Sequence, residues 1–598
     1  MRLLRHCVSR NDGSRMTSKE FILSPSKGKD DMLDYILPIY YIIDSMFSNL
    51  SKKLSELSLS QKVICFYAVF TTIYFLLRCV ALDQMYMVHD ERDIVFSAWS
   101  LARSGKDLFG NIFPLSYGGI SPDNPLISIW FSALFWLFLP IKSVFFARLP
   151  FVLVSSFVPL LIYLITFKVT RENRFSILVS LVAGMSPWMF HLGRIAMDIT
   201  LAFPTLLLAI LLLLNNKRLL GYCLLFLAFY NYQGFRTVIP FIPFLIEWYT
   251  QTTEKKRLVR RYFIHIGFVI LLFLSIFLVD SKVISRRSDQ VLFLNMERFS
   301  ADVDLKRRET IFPLAVSKIF DSKLTDSVRY GLDTLTQGLS TQTFFFKGDA
   351  SPINGTGIGS LLFISTLPFF IFGIMSLRNK DVGYGFLASF TLWGMIPSLA
   401  SLNGHSYAIR GIPMVVGFST LIALGITESW TIVRKYTTLK RIFLVITVLI
   451  FAADFSTFAY EYFGRRPITL SEVFNERERA ISEYLSTVDK QSPIIVYDTD
   501  ISTKNTFITF AFLKINDTAQ IQSTMKNDKY IYQAGNVIFK RCETRKDHPQ
   551  SAISIVSNHC VNDVEYRKLK DSKLKEITYK DTPILVAYFV IPAGKAGK

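Results

Sequence analysis

Several patterns that carry familiar chemistry are missing from this chain. The 598 residues contain no Walker motif, no GxGxxG sequence and no internal repeat, which argues against a nucleotide-driven pump. The six cysteines show neither CxxC nor zinc-ligand spacing. No sequence typical of RNA- or DNA-binding modules is present either. Nucleic acid is therefore not an expected partner, despite a formal net charge of +20.

Apolar residues are abundant instead. Hydrophobic residues make up 51% of the chain and aromatic residues 14%, with 53 phenylalanines. These values are typical of an integral membrane protein. In such a protein an excess of Lys and Arg belongs in cytoplasmic loops. We therefore expect a multi-pass protein of the inner (plasma) membrane of the cell, in contact with membrane lipids.

Long apolar runs mark the membrane spans, because a helix needs about 20 residues to cross an apolar core of ~30 Å. We predict about eleven transmembrane helices. They cover residues 62–82, 149–168, 175–192, 196–214, 219–235, 237–250, 262–280, 358–377, 383–400, 411–428 and 441–459. The first run follows a polar, basic segment, so we expect it to be an uncleaved anchor and not a signal peptide.

One apolar run, Leu126 to Leu139, is short for a span and is predicted to lie on the outer membrane surface. With that run outside the bundle, sixteen Lys and Arg residues fall in the short cytoplasmic loops, and the short outer loops hold only Arg194, Arg236 and Arg410. Letting the run span the membrane would reverse every later loop and break the positive-inside rule. The predicted N-terminus is therefore cytoplasmic and the C-terminus extracytoplasmic.

Under this topology the chain begins with a cytoplasmic tail and continues as an all-α polytopic membrane domain. The tail covers residues 1–61 and the transmembrane domain residues 62–459, with long outer loops at 83–148 and 281–356. Loops of that length between spans are commonly functional or disordered. The second loop ends in FFFKGD, where the aromatic side chains and Lys347 favour ordered contact with membrane or substrate.

The last part of the chain, residues 460–598, is predicted to form a small α/β extracytoplasmic domain. A helical stretch is followed there by several strand-like runs. Nothing in this domain has catalytic spacing. Its two cysteines, Cys542 and Cys560, either pair in an oxidising compartment or remain free thiols.

The first outer loop opens with a dense charge cluster, HDERD, directly after the first span. Asp90 or Glu91 is a candidate general base that would take a proton from an acceptor hydroxyl. The same two acids are candidate ligands for a divalent metal ion, but no full ligand set accompanies them. The simpler alternative is a solvated charged turn, which is what most charge clusters are.

Three other outer helix ends carry charged residues. Asp198 lies four residues after Arg194, so the two would share a helix face, as an ion pair in the simplest case. Arg236 lies among aromatic residues, where a snorkelling Arg beside a Tyr belt is the alternative. His405 and Arg410 open a further helix, whose amide dipoles would face an anion. Cations at this level suit a phosphate that leaves with negative charge.

In addition, the ordered set HDERD, SGKDLFGNIFPLSYGG, DNPL and ARLP resembles the first outer loop of membrane glycosyltransferases of the glycosyltransferase-C fold. Later blocks such as SPWMFHLGRIAMDITLAF and GHSYAIRGIPMVVGF are similar to the bacterial relatives of protein O-mannosyltransferases and aminoarabinose transferases. The resemblance implies a polyprenyl-phosphate sugar donor and transfer on the outer face with inversion. It also implies that Asp90, with Glu91 beside it, is the base and that Asp198 is a site residue.

The leading hypothesis from the sequence is therefore an integral membrane glycosyltransferase. A transporter or flippase of lipid-linked saccharides is the alternative, and it would place charges near mid-helix. A third hypothesis is a structural assembly factor whose outer domain binds a partner. The acceptor (protein, lipid or glycan) and the sugar are left open by the sequence.

Overall fold

The structure is a computed structural model. It describes residues 58–112, 126–250, 255–291, 297–349, 351–356, 359–401, 407–488, 493–526, 531–547, 552–571, 575–579 and 582–592. The predicted cytoplasmic tail up to residue 57, the first three residues of the DNPL block and His405 lie outside these residues. The chain divides into two compact units, Met1–Phe70 and Thr71–Lys598.

The part of the chain that the structure describes is mainly helical. Its α-helices, numbered in chain order, are α1 (Leu59–Cys79), α2 (His89–Ser104), α3 (Leu126–Phe138), α4 (Val144–Ser155), α5 (Val158–Thr170), α6 (Asn173–Met185), α7 (Pro187–Leu192), α8 (Asp198–Leu214), α9 (Arg218–Asn231), α10 (Ile242–Thr250), α11 (Lys255–Val291), α12 (Glu297–Arg308), α13 (Leu314–Phe320), α14 (Lys323–Gly338), α15 (Leu367–Leu377), α16 (Val382–Ala388), α17 (Phe390–Trp393), α18 (Ile396–Leu399), α19 (Tyr407–Arg410), α20 (Met414–Val433), α21 (Thr437–Tyr460), α22 (Arg466–Thr469), α23 (Glu476–Leu485), α24 (Asp500–Lys514), α25 (Thr518–Lys526) and α26 (Asp563–Asp571).

Within these residues, six helical stretches are long and apolar enough to cross a membrane. They are Leu59–Cys79, Val144–Thr170, Val259–Phe277, Val382–Leu399, Met414–Val433 and Thr437–Thr469. Each overlaps a predicted span. Other predicted spans appear as shorter apolar helices, namely Asn173–Met185, Asp198–Leu214, Arg218–Asn231 and Ile364–Leu377. The chain is thus a polytopic helical membrane protein, while the number of eleven spans stays a prediction.

One predicted span begins later than expected. The run at 358–377 forms an α-helix only from Leu367, after a single 3-10 turn at Ile364–Thr366. Pro368 follows at the first turn, where its missing N–H and fixed φ are tolerated. The residues before the turn form hydrogen bonds outside a helix: the amides of Leu361 and Leu362 both donate to the Phe344 carbonyl.

The outward faces of the bundle are apolar, and α21 gives the clearest example. None of its 24 residues is buried within the protein, although its composition is strongly hydrophobic. Leu449 is 63% exposed and Val448 57% exposed. A continuous apolar surface of this size is unfavourable in water. Lipid is therefore the surrounding in which this helix is stable.

The C-terminal region contains a six-stranded mixed sheet. Its strands are β1 (Ile494–Asp498), β2 (Tyr532–Ala534), β3 (Val537–Arg541), β4 (Ile553–Ser557), β5 (Lys575–Tyr579) and β6 (Thr582–Ile591), in the order β2-β3-β1-β4-β6-β5. β1 is parallel to β3 and β4, and the outer pairs are antiparallel. All five residues of β1 are buried, as expected for a central parallel strand covered on both faces. The predicted α/β character of this region is confirmed.

Cys542 and Cys560 form a disulfide in this region. The bond joins the segment that follows β3 to the turn that follows β4. Of the two alternatives for these cysteines, the structure therefore has the pair and not the free thiols.

The C-terminal region packs directly on α2, which follows the first span. Phe96 stacks edge-on against Phe512, with ring centroids 5.8 Å apart. Asn475 donates a hydrogen bond from Nδ2 to the Met87 carbonyl at 2.7 Å, and Gln522 donates from Nε2 to the Asp107 carbonyl at 3.1 Å. These contacts combine a buried aromatic pair with satisfied backbone carbonyls, so the outer loop and the C-terminal region share one core.

The predicted orientation has a direct test. A single cysteine introduced at Ser523, on the exposed surface of α25, is expected to react with a membrane-impermeant maleimide in intact cells, in a background without other reactive thiols. A cysteine at Arg260, near the start of α11, is the matched control and is expected to react only after permeabilisation, because the basic segment 255–261 is predicted to be cytoplasmic. The reverse labelling pattern contradicts the orientation.

Candidate functional site

The acid pair of the first outer loop lies in the first turn of a helix. α2 carries Asp90 and Glu91 there, where carboxylates interact favourably with free amides and with the positive end of the helix dipole. The helix ends at Gly105 with φ 65°, a left-handed conformation that glycine adopts without strain. The sequence analysis placed these acids at the opening of a loop, so it missed the helix that carries them.

Glu91 is fully buried and binds Arg148 through both carboxylate oxygens. The Arg148 Nε to Oε1 distance is 2.6 Å and the Nη2 to Oε2 distance is 2.7 Å. The backbone N–H of Ala196 donates to Oε1 at 2.8 Å. A buried carboxylate with three such bonds cannot meet a substrate hydroxyl. The prediction of a catalytic role for Glu91 is therefore corrected to a structural one.

Arg148 fixes the chain between α1 and α2 as well as Glu91. Its Nη1 donates to the carbonyls of Leu82 and Met85, and its Nη2 donates to the carbonyl of Tyr86. The guanidinium is thus satisfied on every nitrogen, which a buried cation requires. Because Glu91 also holds Ala196, the same ion pair brings the start of α2 next to the segment that leads into α8.

Asp90, unlike the adjacent Glu91, is exposed at the protein surface. Asp93, on the next turn, is buried and pairs with Arg92 at 3.2 Å. Burial raises the pKa of Asp93 to about 6, although the Arg92 guanidinium lowers it, and the charge of Asp90 raises it further. Burial therefore outweighs the ion pair, and the proton on Asp93 is governed partly by the charge of Asp90. The sequence analysis did not select Asp93.

The predicted partnership of Arg194 and Asp198 is wrong. α8 begins at Asp198, and Arg194 lies before the helix in a turn, so the two side chains do not share a helix face. Arg194 is buried and donates from Nη2 to the Ala81 carbonyl at 3.0 Å. Asp198 is in the first turn of α8, and its Oδ1 accepts a hydrogen bond from the Ile199 amide at 2.8 Å.

Four polar residues from distant parts of the chain come together near the start of α8. We call Asp198, Tyr232, Asp349 and Arg410 the outer polar group. Burial raises the pKa of the Tyr232 hydroxyl, the Asp198 carboxylate raises it further, Arg410 lowers it and Asp349 raises it. Two hydrogen bonds join the same segments. Asn231, next to Tyr232, donates from Nδ2 to the Asp198 carbonyl at 3.1 Å, and the Ala408 amide, two residues before Arg410, donates to Asp349 at 2.6 Å. The structure therefore brings two predicted site residues, Asp198 and Arg410, to one place.

Two members of this group, Tyr232 and Asp349, were missed by the sequence analysis. Both lie in blocks that it singled out, YNYQGFR and FFFKGD. Each block contains several polar side chains at adjacent positions. Only the fold decides which of them meets Asp198 and Arg410, so no signal in the sequence distinguishes them.

Asp349 accepts two backbone hydrogen bonds. The amide of Ser351 donates to its Oδ1 at 2.7 Å, and the amide of Ala408, in the short helix α19, donates to its Oδ2 at 2.6 Å. Burial raises the pKa of Asp349, whereas these two bonds and the Arg410 charge lower it. The expectation that amides at this helix start would face a substrate anion is thus corrected, since a carboxylate of the chain occupies one of them.

A glycine allows this turn to form. Gly348 has φ 77°, and a Cβ at this position would collide with the Gly359 carbonyl. Only glycine combines that backbone conformation with that close approach. Asp349 follows directly and is thereby placed beside α19.

Arg236 and Lys347 lie in different surroundings. The Arg236 guanidinium is 5.7 Å from the centroid of the Phe229 ring and 5.8 Å from that of Tyr230, as in the alternative of an Arg within an aromatic belt. Lys347 ends a π-helical turn and is exposed. A role of either side chain in phosphate binding stays a prediction.

A divalent metal ion was left open by the sequence. Across the ranges that the structure describes, no three His, Cys, Asp or Glu side chains lie close enough together to hold a metal ion. Hard cations prefer several oxygen ligands at once, and of the two acids named for this role, Glu91 is already engaged by Arg148.

Comparison with known proteins gives limited similarity. No protein-family model matches the chain, and no curated protein sequence is similar to it. Among solved structures, ArnT from Cupriavidus metallidurans bound to undecaprenyl phosphate is 10% identical, covers 90% of this chain and 100% of its own, and has a TM-score of 0.45.

Two structures of an archaeal oligosaccharyltransferase from Archaeoglobus fulgidus are also similar. AglB in complex with an inhibitory peptide and a dolichol-phosphate is 11% identical over 76% of this chain and 64% of its own, with a TM-score of 0.39. The apo form is 12% identical over 75% and 63%, with a TM-score of 0.39. The function of this chain is therefore inferred from its own residues.

The different roles of Asp90 and Glu91 predict different effects on stability. Glu91→Gln leaves the Arg148 charge buried without its partner, which typically costs about 3–5 kcal/mol. Asp90→Asn changes an exposed side chain and is expected to alter stability by no more than about 0.5 kcal/mol. The measurement is the unfolding midpoint of both purified variants in the same detergent. Equal midpoints for the two variants contradict the assignment.

Proposed function

We propose that this protein is an integral membrane glycosyltransferase. It transfers a sugar from a polyprenyl-phosphate donor to an acceptor on the extracytoplasmic face of the membrane, with inversion at the sugar carbon. Asp90 is the general base, and Arg410 binds the donor phosphate. The observation that carries the proposal is the exposed Asp90 carboxylate, held by the buried Glu91–Arg148 pair beside the segment that leads to Asp198.

The position of Asp90 supports its role as the base. A general base needs access to the acceptor hydroxyl and a fixed location next to the reacting carbon. Asp90 is exposed, but its backbone is fixed, because the adjacent Glu91 is bonded to Arg148 and Ala196. The neighbouring Asp93 adds a second carboxylate, so that removal of one charge changes the proton affinity of the other.

The outer polar group supports a phosphate-binding role for Arg410. A guanidinium stabilises the charge that develops on a phosphate leaving group. Asp349 lies close enough to interact with Arg410 and is itself fixed by two amides. Such a carboxylate orients an arginine side chain before the donor arrives, which reduces the entropy lost on binding.

The donor's prenyl chain would remain in lipid. Helices such as α21 present largely apolar, unburied surfaces of membrane-spanning length, which suits a donor with a long hydrocarbon tail. The residues assigned to chemistry lie at helix ends: Asp90 and Asp198 in first turns and Arg410 in the last turn of α19. A transporter would be expected to carry charges near mid-helix instead.

The proposed base has a matched-variant test. Asp90→Asn keeps the size of the side chain and removes its ability to accept a proton, so transfer is expected to fall by a factor of about 10²–10⁴. Asp302→Asn, the same change at an exposed position on α12, is the control and is expected to keep full activity. The assay is transfer of radiolabelled sugar from its polyprenyl phosphate in membranes that supply native acceptors.

Matched amounts of folded protein are essential to this comparison and are set by gel filtration in detergent. Full activity of Asp90→Asn would leave Asp90 as an exposed charge in the first turn of α2 without a catalytic role. In that case the transporter would become the leading hypothesis.

A further inference from the structure

Three arginine side chains surround a small cavity at the edge of the C-terminal region. Arg148, Arg194 and Arg466 line it together with Tyr462, and each arginine is at most 5% exposed. We call this space the arginine cavity. Its volume of about 20 Å³ exceeds the roughly 10–15 Å³ that one water molecule needs. The cavity therefore has room for little more than one water-sized group, so a larger ligand would place only part of itself inside it.

The arginine cavity is distinct from the outer polar group. Its other lining residues are Ala81, Leu82, Gln84, Met85, Ile195 and Phe474. None of the four members of the outer polar group lines it. Arg194, which the sequence analysis assigned to the donor site, belongs to this cavity instead.

Positive charge in the cavity exceeds negative charge. Arg148 is neutralised by Glu91, but no carboxylate among the described residues lies within ion-pair distance of Arg194 or Arg466. Aromatic rings face both side chains instead: the Arg466 guanidinium is 4.8 Å from the centroid of the Tyr462 ring. Such rings attract cations but carry no net charge. Two buried cations therefore remain without a counter-ion, which is unfavourable unless an anion binds.

Unused hydrogen-bond donors accompany this charge. Nη1 of Arg194 and Nε of Arg466 are buried and have no hydrogen-bond partner within the part of the chain that the structure describes. The nearby histidine cannot fill the role of an anion. His191 places Nε2 2.9 Å from the Ile353 carbonyl and 3.2 Å from Nη2 of Arg466, and Nδ1 3.1 Å from the Tyr462 hydroxyl. An imidazole ring is neutral or positively charged and supplies no negative charge to either arginine.

The mouth of the cavity lies close to the end of α1. Ala81 and Gln84 are the two lining residues that are not buried. Both follow directly on the end of α1, a helix long and apolar enough to cross the membrane. A ligand that reaches the arginines through this mouth therefore comes from the headgroup layer or from the adjacent water.

We propose that the arginine cavity binds a phosphate group, carried either by a membrane lipid or by a free phosphate ion. A phosphate supplies the missing negative charge and presents several acceptor oxygens. The planar guanidinium groups of Arg194 and Arg466 match such oxygens better than a point charge does. This site is separate from the donor phosphate at Arg410 and does not depend on the proposed function.

The test uses the full chain purified in detergent and stripped of lipid in phosphate-free buffer. Its unfolding midpoint is measured with inorganic phosphate, with a short-chain phosphatidic acid and with the matching uncharged diacylglycerol. We expect both phosphate arms to raise the midpoint by roughly 2–5 °C at saturation, and diacylglycerol to have no effect. A half-saturating concentration at least tenfold lower for phosphatidic acid identifies the lipid as the source, whereas similar concentrations identify the free ion.

Substitutions test which arginines are responsible for the rise in the unfolding midpoint. Arg194→Gln and Arg466→Gln are expected to abolish the rise, while Arg329→Gln, at an exposed arginine of α14, and Arg410→Ala, in the outer polar group, are expected to retain it. If the Gln variants do not fold, native mass spectrometry of the wild type replaces them, and a bound phosphate or phospholipid mass is expected. A wild type that neither responds nor retains such a mass overturns the proposal. A response retained by both Gln variants overturns it as well.

Discussion

The buried ion pair between Glu91 and Arg148 holds three segments of the chain in place at once. Arg148 binds the carbonyls that precede α2, Glu91 belongs to the first turn of α2, and the Ala196 amide binds Glu91 from the segment before α8. A pair of this kind is stable only when every donor and acceptor is satisfied, which is the case here. Its consequence for function is geometric, because it places Asp90 at the surface next to the segment that leads to Asp198.

The polar residues near the Glu91–Arg148 pair form two groups. One group, around Tyr232, contains both carboxylates and a cation and suits the binding and departure of a charged leaving group. The other, around Arg194 and Arg466, contains cations and aromatic rings and lacks a carboxylate among the described residues. A buried cluster with an excess of one charge is tolerated in a protein when a ligand of opposite charge neutralises it. Such clusters also occur where they position another functional group.

The sequence was sufficient for the features that depend on local composition. Apolar runs predicted the long helices such as Thr437–Tyr460, and strand-like runs predicted the strands around Ile494–Asp498. It was insufficient where distant residues decide the outcome. Glu91 and Asp90 are adjacent and chemically alike, and only the approach of Arg148 makes one structural. Asp349 could not be chosen from its block, because its partner Ala408 is 59 positions away.

The proposed glycosyl transfer requires a donor phosphate held at the outer end of the helical bundle. The most direct measurement is a cryo-electron microscopy map of the protein in a lipid nanodisc with bound polyprenyl phosphate. The proposed role of Arg410 predicts phosphate density within hydrogen-bond distance of its guanidinium, on the side of the membrane that carries Asp90. Phosphate density only at the opposite end, beside Arg218 and Arg261, would contradict it.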